Sequence, residues 1–354
     1  MSPATFDRRH FLLSLPALVI AKRVVGQGRP PLRVRALNHL TLSVSDVKRS
    51  LDFYQGLFGM PIQARQAATP ILRIGTGPQF LALSAAGPGV APSINHFCVT
   101  VEDFGVDAVM QALAARGITR VEQVTSGGGL GLGPMRARVR MRGAEAGGAK
   151  EGTPELYFGD PDGVVVQLQD PTYCGGAGVL GNVCSSLEPA PRKGLLAVRN
   201  ISHFTVFVSD SNRSTAFYRD LFGLEIQAHQ GPLPMLGVGP GVGFVTFAGV
   251  GAGRGGANAP PRSARIDHAC FSMEGFSPDR VLKALGEYGI KPRGSAQGPV
   301  GPLTSYVTMR MPDRGGASGG TPELYFTDPD GLLIQLQDVS YCGGGGYLGN
   351  ECPT

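Results

Sequence analysis

The 354-residue chain contains a long internal repeat, and this feature limits its possible architectures more than any other. The segment NHLTLSVSDVKRSLDFYQGLFGMPIQARQ, which starts at Asn38, returns from Ser202 as SHFTVFVSDSNRSTAFYRDLFGLEIQAHQ. The segment GTPELYFGDPDGVVVQLQDPTYCGGAGVLGNVC, from Gly152, returns from Gly320 as GTPELYFTDPDGLLIQLQDVSYCGGGGYLGNEC. The repeat predicts two similar domains, at residues 32–185 and 195–354, joined by a polar, proline-bearing linker at residues 186–194.

Each repeat is itself divided into two modules by a recurring strand and helix pattern. LTLSVSD predicts a strand, and SLDFYQGLFG predicts a helix that Ser45 or Asp46 can cap. Midway through the repeat, INHFCVTVED predicts another strand and GVDAVMQALAARG a helix that ends at Gly117. IDHACFSME and SPDRVLKALGEYG hold the same places in the second repeat. We therefore predict an α+β fold with four β-α-β-β-β modules, two in each domain.

The N-terminus has the pattern of an export signal. Arg8 and Arg9 precede an apolar run that ends near Ala21, which resembles a twin-arginine signal, so residues 1–31 are assigned to a signal peptide and linker. The run is too short for a spanning helix, and we expect no stable membrane span. We expect export to the periplasm or the medium. The net charge of +5 is small and forms no basic stripe, which argues against nucleic acid as a partner.

Four of the six histidines fall at repeated positions on one face of predicted strands. Because side chains alternate between the faces of a strand, the leucines and valine of NHLTLSV form an apolar face and leave His39 on the other. His96 lies on the polar face of NHFCVTV, and His203 and His268 occupy the matching places in the second repeat. Two imidazoles per domain suit a first-row metal ion. The alternative is a set of solvated or hydrogen-bonded strand histidines that were retained when the unit was duplicated.

The module layout and these histidines resemble the vicinal oxygen chelate superfamily, which includes glyoxalases, bleomycin-resistance proteins and extradiol dioxygenases. The resemblance covers nearly all of the chain after residue 31. In that family each domain curls its strands around a cleft, and two histidines and a glutamate hold a metal ion. The resemblance implies a divalent Fe, Mn or Zn ion held by His203, His268 and Gln335, or less favourably by the first-repeat set, which is His39, His96 and Gln167.

The sequence departs from the family's extradiol signature at two functional positions. Gln335 and Gln167 stand where that signature has a glutamate, and GGASGGTPELY lacks the histidine that acts as acid or base in ring cleavage. Both repeats share these departures, which argue against ring-cleaving dioxygenase activity. Glutamine is a metal ligand in some glyoxalases, so the change is compatible with metal binding.

A glutamate is a candidate to replace the missing carboxylate. ELYFTDPDGLLIQLQ predicts a β-hairpin with DPDG as its turn. If Thr327 faces Gly331 across the turn, Glu323 lies opposite Gln335. The same arithmetic places Glu155 opposite Gln167. The two glutamates are then candidates for a fourth ligand or a general base. The alternative is that each is an ordinary exposed strand residue.

The strand RARVRMR distinguishes the two repeats. Arg136, Arg138, Arg140 and Arg142 share one of its faces. If the opposite, apolar face packs on helices, the arginines line the first cleft, where they suit an anionic ligand and repel a metal ion. A solvated outer face is the alternative. The second repeat has milder residues here, so its cleft is the better candidate for catalysis, and its proposed catalytic residues are Glu323, Tyr325 and Tyr306.

The six cysteines also follow the repeat. Cys174 and Cys184 bracket a glycine-rich loop, as do Cys342 and Cys352, and in an exported protein such pairs can form local disulfides. Pairing between the domains is the alternative. Cys98 and its second-repeat counterpart lie two residues after a candidate histidine, where each is either a soft ligand or a small buried side chain.

The leading functional prediction is a divalent-metal enzyme, a lyase or a dioxygenase-like protein, that chelates two oxygens of a small substrate. The metal ion would act as a Lewis acid. The alternatives are a metal-free module that binds or sequesters a small molecule, as bleomycin-resistance relatives do, and a purely structural scaffold. The expected partner is a small molecule, and the sequence leaves homo-oligomerisation open.

Overall fold

The computed structural model describes residues 30–122, 132–184, 186–250, 263–295 and 300–353. The predicted twin-arginine motif lies outside the described residues. Within the described ranges, no helix has the length and apolar character needed to cross a membrane.

The first repeat folds, over its described residues, into a nine-stranded mixed sheet with two helices. Its elements are β1 (Val34–Val44), α1 (Val47–Phe58), β2 (Ile62–Gln66), β3 (Thr69–Arg73), β4 (Phe80–Ala85), β5 (Ser93–Val101), α2 (Val106–Ala114), β6 (Thr119–Arg120), β7 (Arg136–Arg142), β8 (Thr153–Gly159) and β9 (Val165–Gln169). The strand order is β2-β3-β4-β1-β5-β9-β8-β7-β6.

The second repeat forms a sheet of the same topology. Its elements are β10 (Asn200–Val208), α3 (Ser211–Phe222), β11 (Ile226–Gln230), β12 (Leu233–Gly237), β13 (Phe244–Gly249), β14 (Arg265–Met273), α4 (Pro278–Glu287), β15 (Lys291–Pro292), β16 (Thr304–Arg310), β17 (Thr321–Thr327) and β18 (Leu333–Asp338). The strand order is β11-β12-β13-β10-β14-β18-β17-β16-β15. The predicted α+β fold with two duplicated domains is confirmed, and the two-residue strands β6 and β15 are additions to the predicted modules.

Local sequence accounts for the ends of the first helix. Of the two candidate caps, Asp46 caps α1, because its carboxylate accepts a hydrogen bond from the backbone N–H of Arg49 at 3.0 Å. The helix ends at Gly59, whose φ of 67° is a left-handed conformation that glycine adopts without steric cost.

The apolar strand faces form one core that is continuous across both repeats. Leu40, Leu42 and Val44 are fully buried in it, as the alternation of the strand predicts. Phe97 of the first repeat stacks on Phe204 of the second, with ring centroids 4.9 Å apart. The two sheets therefore share their apolar side, and the polar faces with the histidines point away from it.

The domains also contact each other reciprocally at their surfaces. Arg213 in α3 forms an ion pair with Asp162, in the DPDG turn of the first domain, at 2.8 Å. Arg49 in α1 forms the matching pair with Asp330 in the turn of the second domain. Each turn thus docks at the start of the other domain's first helix.

The disulfides are local. Cys174 bonds Cys184, and Cys342 bonds Cys352, so the alternative of pairing between domains is wrong. Cys98 and the matching thiol in the second repeat are free and buried.

Candidate metal and ligand site

A row of neighbouring strand residues crosses each sheet and carries most of the candidate site. Residues paired on adjacent strands point to the same face of the sheet, so each row brings together side chains from distant parts of the chain. The row in the first domain is Arg138, Tyr157, Gln167, Cys98 and His39. The row in the second domain is Tyr306, Tyr325, Gln335, Cys270 and His203.

The first candidate triad closes around the amide of Gln167. The Oε1 atom of Gln167 lies 2.9 Å from Nε2 of His39 and 3.0 Å from Nε2 of His96. All three side chains are buried, and they line a cavity of about 520 Å³. The structure therefore brings together all three predicted residues of this domain.

Asn38 determines which nitrogen of His39 carries the ring proton. Its amide nitrogen donates to the carbonyl of Tyr173 at 2.9 Å, so its oxygen accepts from Nδ1 of His39 at 2.7 Å. Nε2 of His39 then presents a lone pair to Gln167. Burial, together with the charge of the neighbouring His96, lowers the pKa of His39 well below its ordinary value. Burial lowers the pKa of His96 to about 4, so both imidazoles are neutral at neutral pH.

These contacts are compatible with a divalent cation and also with a metal-free state. Two imidazole lone pairs and an amide oxygen suit Fe, Mn or Zn, and a cation among them would relieve the repulsion between facing acceptors. Alternatively, rotation of the Gln167 amide would let its nitrogen, which is buried without a partner among the described residues, donate to both imidazoles. The described residues contain no group of three or more His, Cys, Asp or Glu side chains arranged to hold a metal. Each centre is thus a pair of imidazoles with an amide.

The second triad differs from the first in the residue that contacts Nδ1 of its second histidine. Nε2 of His203 lies 3.1 Å from Oε1 of Gln335, and the rings of His203 and His268 are 5.7 Å apart. Nδ1 of His268 donates to the carboxylate of Asp267 at 3.0 Å, and that carboxylate also pairs with Arg265 at 3.0 Å. A carboxylate behind a ligating histidine raises its basicity and supplies negative charge.

Sequence reasoning missed Asp267, although a signal was present. The second repeat reads Asp-His where the first reads Asn-His, and Asn95 makes the matching contact to His96 at 2.9 Å. The second domain therefore has a carboxylate one residue before a candidate ligand, whereas its Gln335 brings no negative charge.

The predicted pairing of Glu323 with Gln335 is wrong. Tyr325 lies opposite Gln335, and the hairpin closes with Thr327 opposite Leu333. The turn is longer than DPDG because the carboxylate of Asp328 accepts the backbone N–H groups of Asp330 and Leu332, both at 2.9 Å.

The first domain has the same register, so the predicted pairing of Glu155 with Gln167 is also wrong: Tyr157 lies opposite Gln167.

The two glutamates instead hold arginines and tyrosines in the cleft walls. Glu323 lines the second cavity, and its carboxylate accepts from Nε of Arg310 at 3.0 Å and from the hydroxyls of Tyr325 and Tyr341, each at 3.3 Å. Glu155 is fully buried and pairs with two arginines, so its interpretation as an exposed strand residue is wrong.

The candidate catalytic tyrosines stand beside the second triad. The ring of Tyr325 makes an edge contact with His268 at 5.4 Å, and Tyr306 stacks on Tyr325 at 5.2 Å. Both line a cavity of about 750 Å³ together with His203, His268 and Gln335.

Cys98 and Cys270 stand next to the glutamine of each row but remain thiols, because burial raises the pKa of each well above its ordinary value.

Three of the four arginines of β7 line the first cavity, namely Arg138, Arg140 and Arg142. Arg136 is exposed and is not part of the lining. The alternative of a solvated outer face is therefore wrong for the three that line the cleft.

Comparison with known proteins agrees with this architecture. Residues 36–168 match the family model described as the glyoxalase/bleomycin resistance protein/dioxygenase superfamily, and residues 200–239 match a bleomycin resistance protein-like N-terminal model. The glutathione transferase FosA of Serratia marcescens is 32% identical over 138 residues, which cover 38% of this chain and 80% of that protein.

Solved structures of low sequence identity share the fold. A catechol 2,3-dioxygenase superposes with a TM-score of 0.54 at 17% identity, covering 91% of each chain. The Mn(II)-bound glyoxalase from Novosphingobium aromaticivorans superposes with a TM-score of 0.52 at 14% identity, covering 86% of this chain and 82% of that one. The chain belongs to the glyoxalase/bleomycin resistance protein/dioxygenase superfamily.

Proposed function

We propose that this protein is a divalent-metal enzyme whose second domain binds a small substrate through two of its oxygens. His203, His268 and Gln335 would hold the ion, which is Fe, Mn or Zn. The observation that carries the proposal is the Asp267 carboxylate behind His268, because it offsets part of the charge that a neutral glutamine leaves uncompensated. The similarity to a Mn(II)-bound glyoxalase fold supports it.

The residues around the triad support distinct roles in this proposal. Phe244 stacks on His203 with ring centroids 4.3 Å apart and holds the imidazole in place. When bound, the metal ion supplies Lewis-acid polarisation of a substrate oxygen. Tyr325, whose hydroxyl donates to Glu323, is placed to hold or move a proton at its phenolic oxygen. Tyr306 forms the wall beside it.

The reaction class that fits best is lyase-like or dioxygenase-like chemistry without ring cleavage. The cavity of about 750 Å³ has the size of sites for small molecules. The missing acid-base histidine and the glutamine ligand still argue against ring cleavage.

A metal-free binding module is the second candidate, and one observation favours it. The buried amide nitrogen of Gln335, like that of Gln167, has no partner among the described residues, and rotation of either amide would give the facing imidazole a donor. A cleft satisfied in this way needs no ion. Such a module would sequester a small ligand rather than transform it.

Elemental analysis of protein purified without chelator separates the two candidates. We expect about one equivalent of transition metal per chain, lost in His203→Ala and retained in the matched variant His39→Ala, because two imidazoles with a supporting carboxylate form the stronger anchor. Absence of bound metal after supplementation with Fe, Mn and Zn would reject the enzyme and favour the binding module.

We also propose export by the twin-arginine route. The pair Arg8 and Arg9 followed by an apolar run supports it. Replacement of both arginines by lysine should retain the protein in the cytoplasm. Arg23→Lys is the matched control and should leave export unchanged, because this arginine follows the apolar run instead of preceding it. Undiminished export of the double variant would reject this route.

A further inference from the structure

We propose that the cleft of the first domain is a binding site for a small oxyanion, a carboxylate or phosphate-type group, with Arg138 as its anchor. This site is separate from the metal site proposed for the second domain. It does not depend on metal in either cleft.

The charged groups of this cleft are unequally matched. Three arginines and one glutamate, Glu145, line it, and Glu155 pairs with two of these arginines without being part of the lining. Glu155 is fully buried, and both of its oxygens are engaged, one by Arg140 and the hydroxyl of Tyr157, the other by Arg142 and a second tyrosine. Glu145 is exposed at the rim. The fixed charges therefore leave a positive excess, and Arg138 stands apart from the Glu155 cluster.

Arg138 lines the cleft and has an unused donor. Its Nε is buried and has no hydrogen-bond partner in the part of the chain that the structure describes. Nε and the adjacent terminal nitrogen form the edge of a guanidinium that binds two oxygens of one carboxylate or phosphate. A buried donor without a partner is costly, and an oxyanion would satisfy it.

The second repeat shows that this arginine is not required by the fold. Arg142 and its counterpart Arg310 play the same structural part, since each bonds a glutamate and a carbonyl of the glycine-rich loop, that of Gly176 at 2.9 Å or Gly344 at 2.8 Å. At the place of Arg138 the second repeat has Tyr306. The same framework therefore folds without Arg138, and this arginine instead sets the ligand chemistry of the first cleft.

The row across the sheet places the anchor near the imidazole pair. Arg138 pairs with Tyr157, and Tyr157 pairs with Gln167, so Arg138 and Gln167 are two strands apart, or about 10 Å at the usual strand spacing. Tyr157 in turn makes an edge contact with His96 at 5.3 Å. A small ligand held by its anionic end at Arg138 would thus present its other end to His39 and His96.

Calorimetric titration of the full chain with inorganic phosphate, and separately with acetate, tests the proposal. Both titrations use protein that has been treated with EDTA and then dialysed free of it, so a failed metal proposal leaves the result intact. Arg138→Tyr, which installs the second repeat's residue, should weaken binding about 10-fold or more, as loss of a charge-assisted contact does. Arg136→Tyr removes the same charge from the exposed end of the same strand, outside the cavity lining, and should change binding less than about two-fold. Tighter binding of phosphate would identify a tetrahedral group, and tighter binding of acetate a carboxylate.

A conservative variant guards against misfolding. Arg138→Lys keeps the charge but loses the paired donors, so its affinity for the anion should lie between that of wild type and that of Arg138→Tyr. The proposal is rejected if neither anion binds wild type, or if Arg138→Tyr and Arg136→Tyr bind alike while urea unfolding shows both to be folded.

Discussion

The hydroxyl of Tyr54, in the first domain, donates a hydrogen bond to the carboxylate of Asp328, in the second, at 3.2 Å. Tyr218 and Asp160 repeat the contact in the opposite direction at 3.3 Å. All four residues are buried. The duplication thus places each domain's DPDG turn against the first helix of the other, and a buried tyrosine meets a buried carboxylate at both junctions.

Removing these hydroxyls should weaken the docking of the domains. Tyr54→Phe or Tyr218→Phe leaves a buried carboxylate without one of its donors, which should lower the free energy of unfolding by about 1–3 kcal/mol. Urea denaturation measures the change. Tyr347→Phe is the control, because Tyr347 is 57% exposed and its hydroxyl should matter by less than about 0.5 kcal/mol. Equal stability of all three variants would exclude a role for the hydroxyls.

The same carboxylates should make stability depend on pH. Burial raises the pKa of Asp160 and of Asp328 to about 6, above the value of an unfolded chain. The folded state therefore binds more protons than the unfolded state between about pH 4 and 6, so the stability that these groups contribute at low pH is lost as the pH rises through that window. The loss is about 3 kcal/mol per group.

Asp160→Asn and Asp328→Asn remove this titration while retaining a side-chain oxygen for the backbone donors of the turn. Relative to wild type, both variants should gain stability as the pH rises from about 4 to about 7. Urea unfolding at several pH values checks this. If the difference in free energy of unfolding between variant and wild type stays constant with pH, the shifted pKa values are contradicted.

The carboxylate of Asp267 should tune metal affinity in the second domain. Asp267→Asn removes negative charge behind His268, and we expect roughly 10-fold weaker metal binding by competition with a chelator dye. Asn95→Asp is the matched variant and should strengthen any binding in the first domain. If Asp267→Asn binds metal with wild-type affinity, this carboxylate has no role in metal binding.

The corrected register changes what is expected of Glu323. Glu323→Gln leaves the side chain of Arg310, only 2% exposed, without its anionic partner, which should cost about 3–5 kcal/mol of stability. The effect on metal affinity should be smaller than that of Asp267→Asn, because Tyr325 rather than Glu323 lies opposite Gln335.

One further variant completes this test. Gln335→Glu should tighten metal binding by adding charge to the triad. A fall in metal affinity as the main effect of Glu323→Gln, with stability intact, would show that Glu323 acts on the ion directly.

The sequence by itself determined the duplication and the two faces of the central strands. Alternation placed Leu40, Leu42 and Val44 in the core and His39 opposite them, because a strand's side chains change face at every residue regardless of what the strand pairs with. The repeat then identified both imidazole pairs with their glutamines, since four histidines at equivalent positions carry more information than any one of them.

Only the tertiary structure decided which residues face one another between strands. The register of the last hairpin depends on how many residues its turn takes up, and Asp328 lengthens that turn by binding two backbone N–H groups. A shift of two residues keeps every side chain on the face that the sequence predicts, yet it replaces Glu323 by Tyr325 opposite Gln335. Face is a local property of the strand, whereas register is set by the turn and by the neighbouring strands.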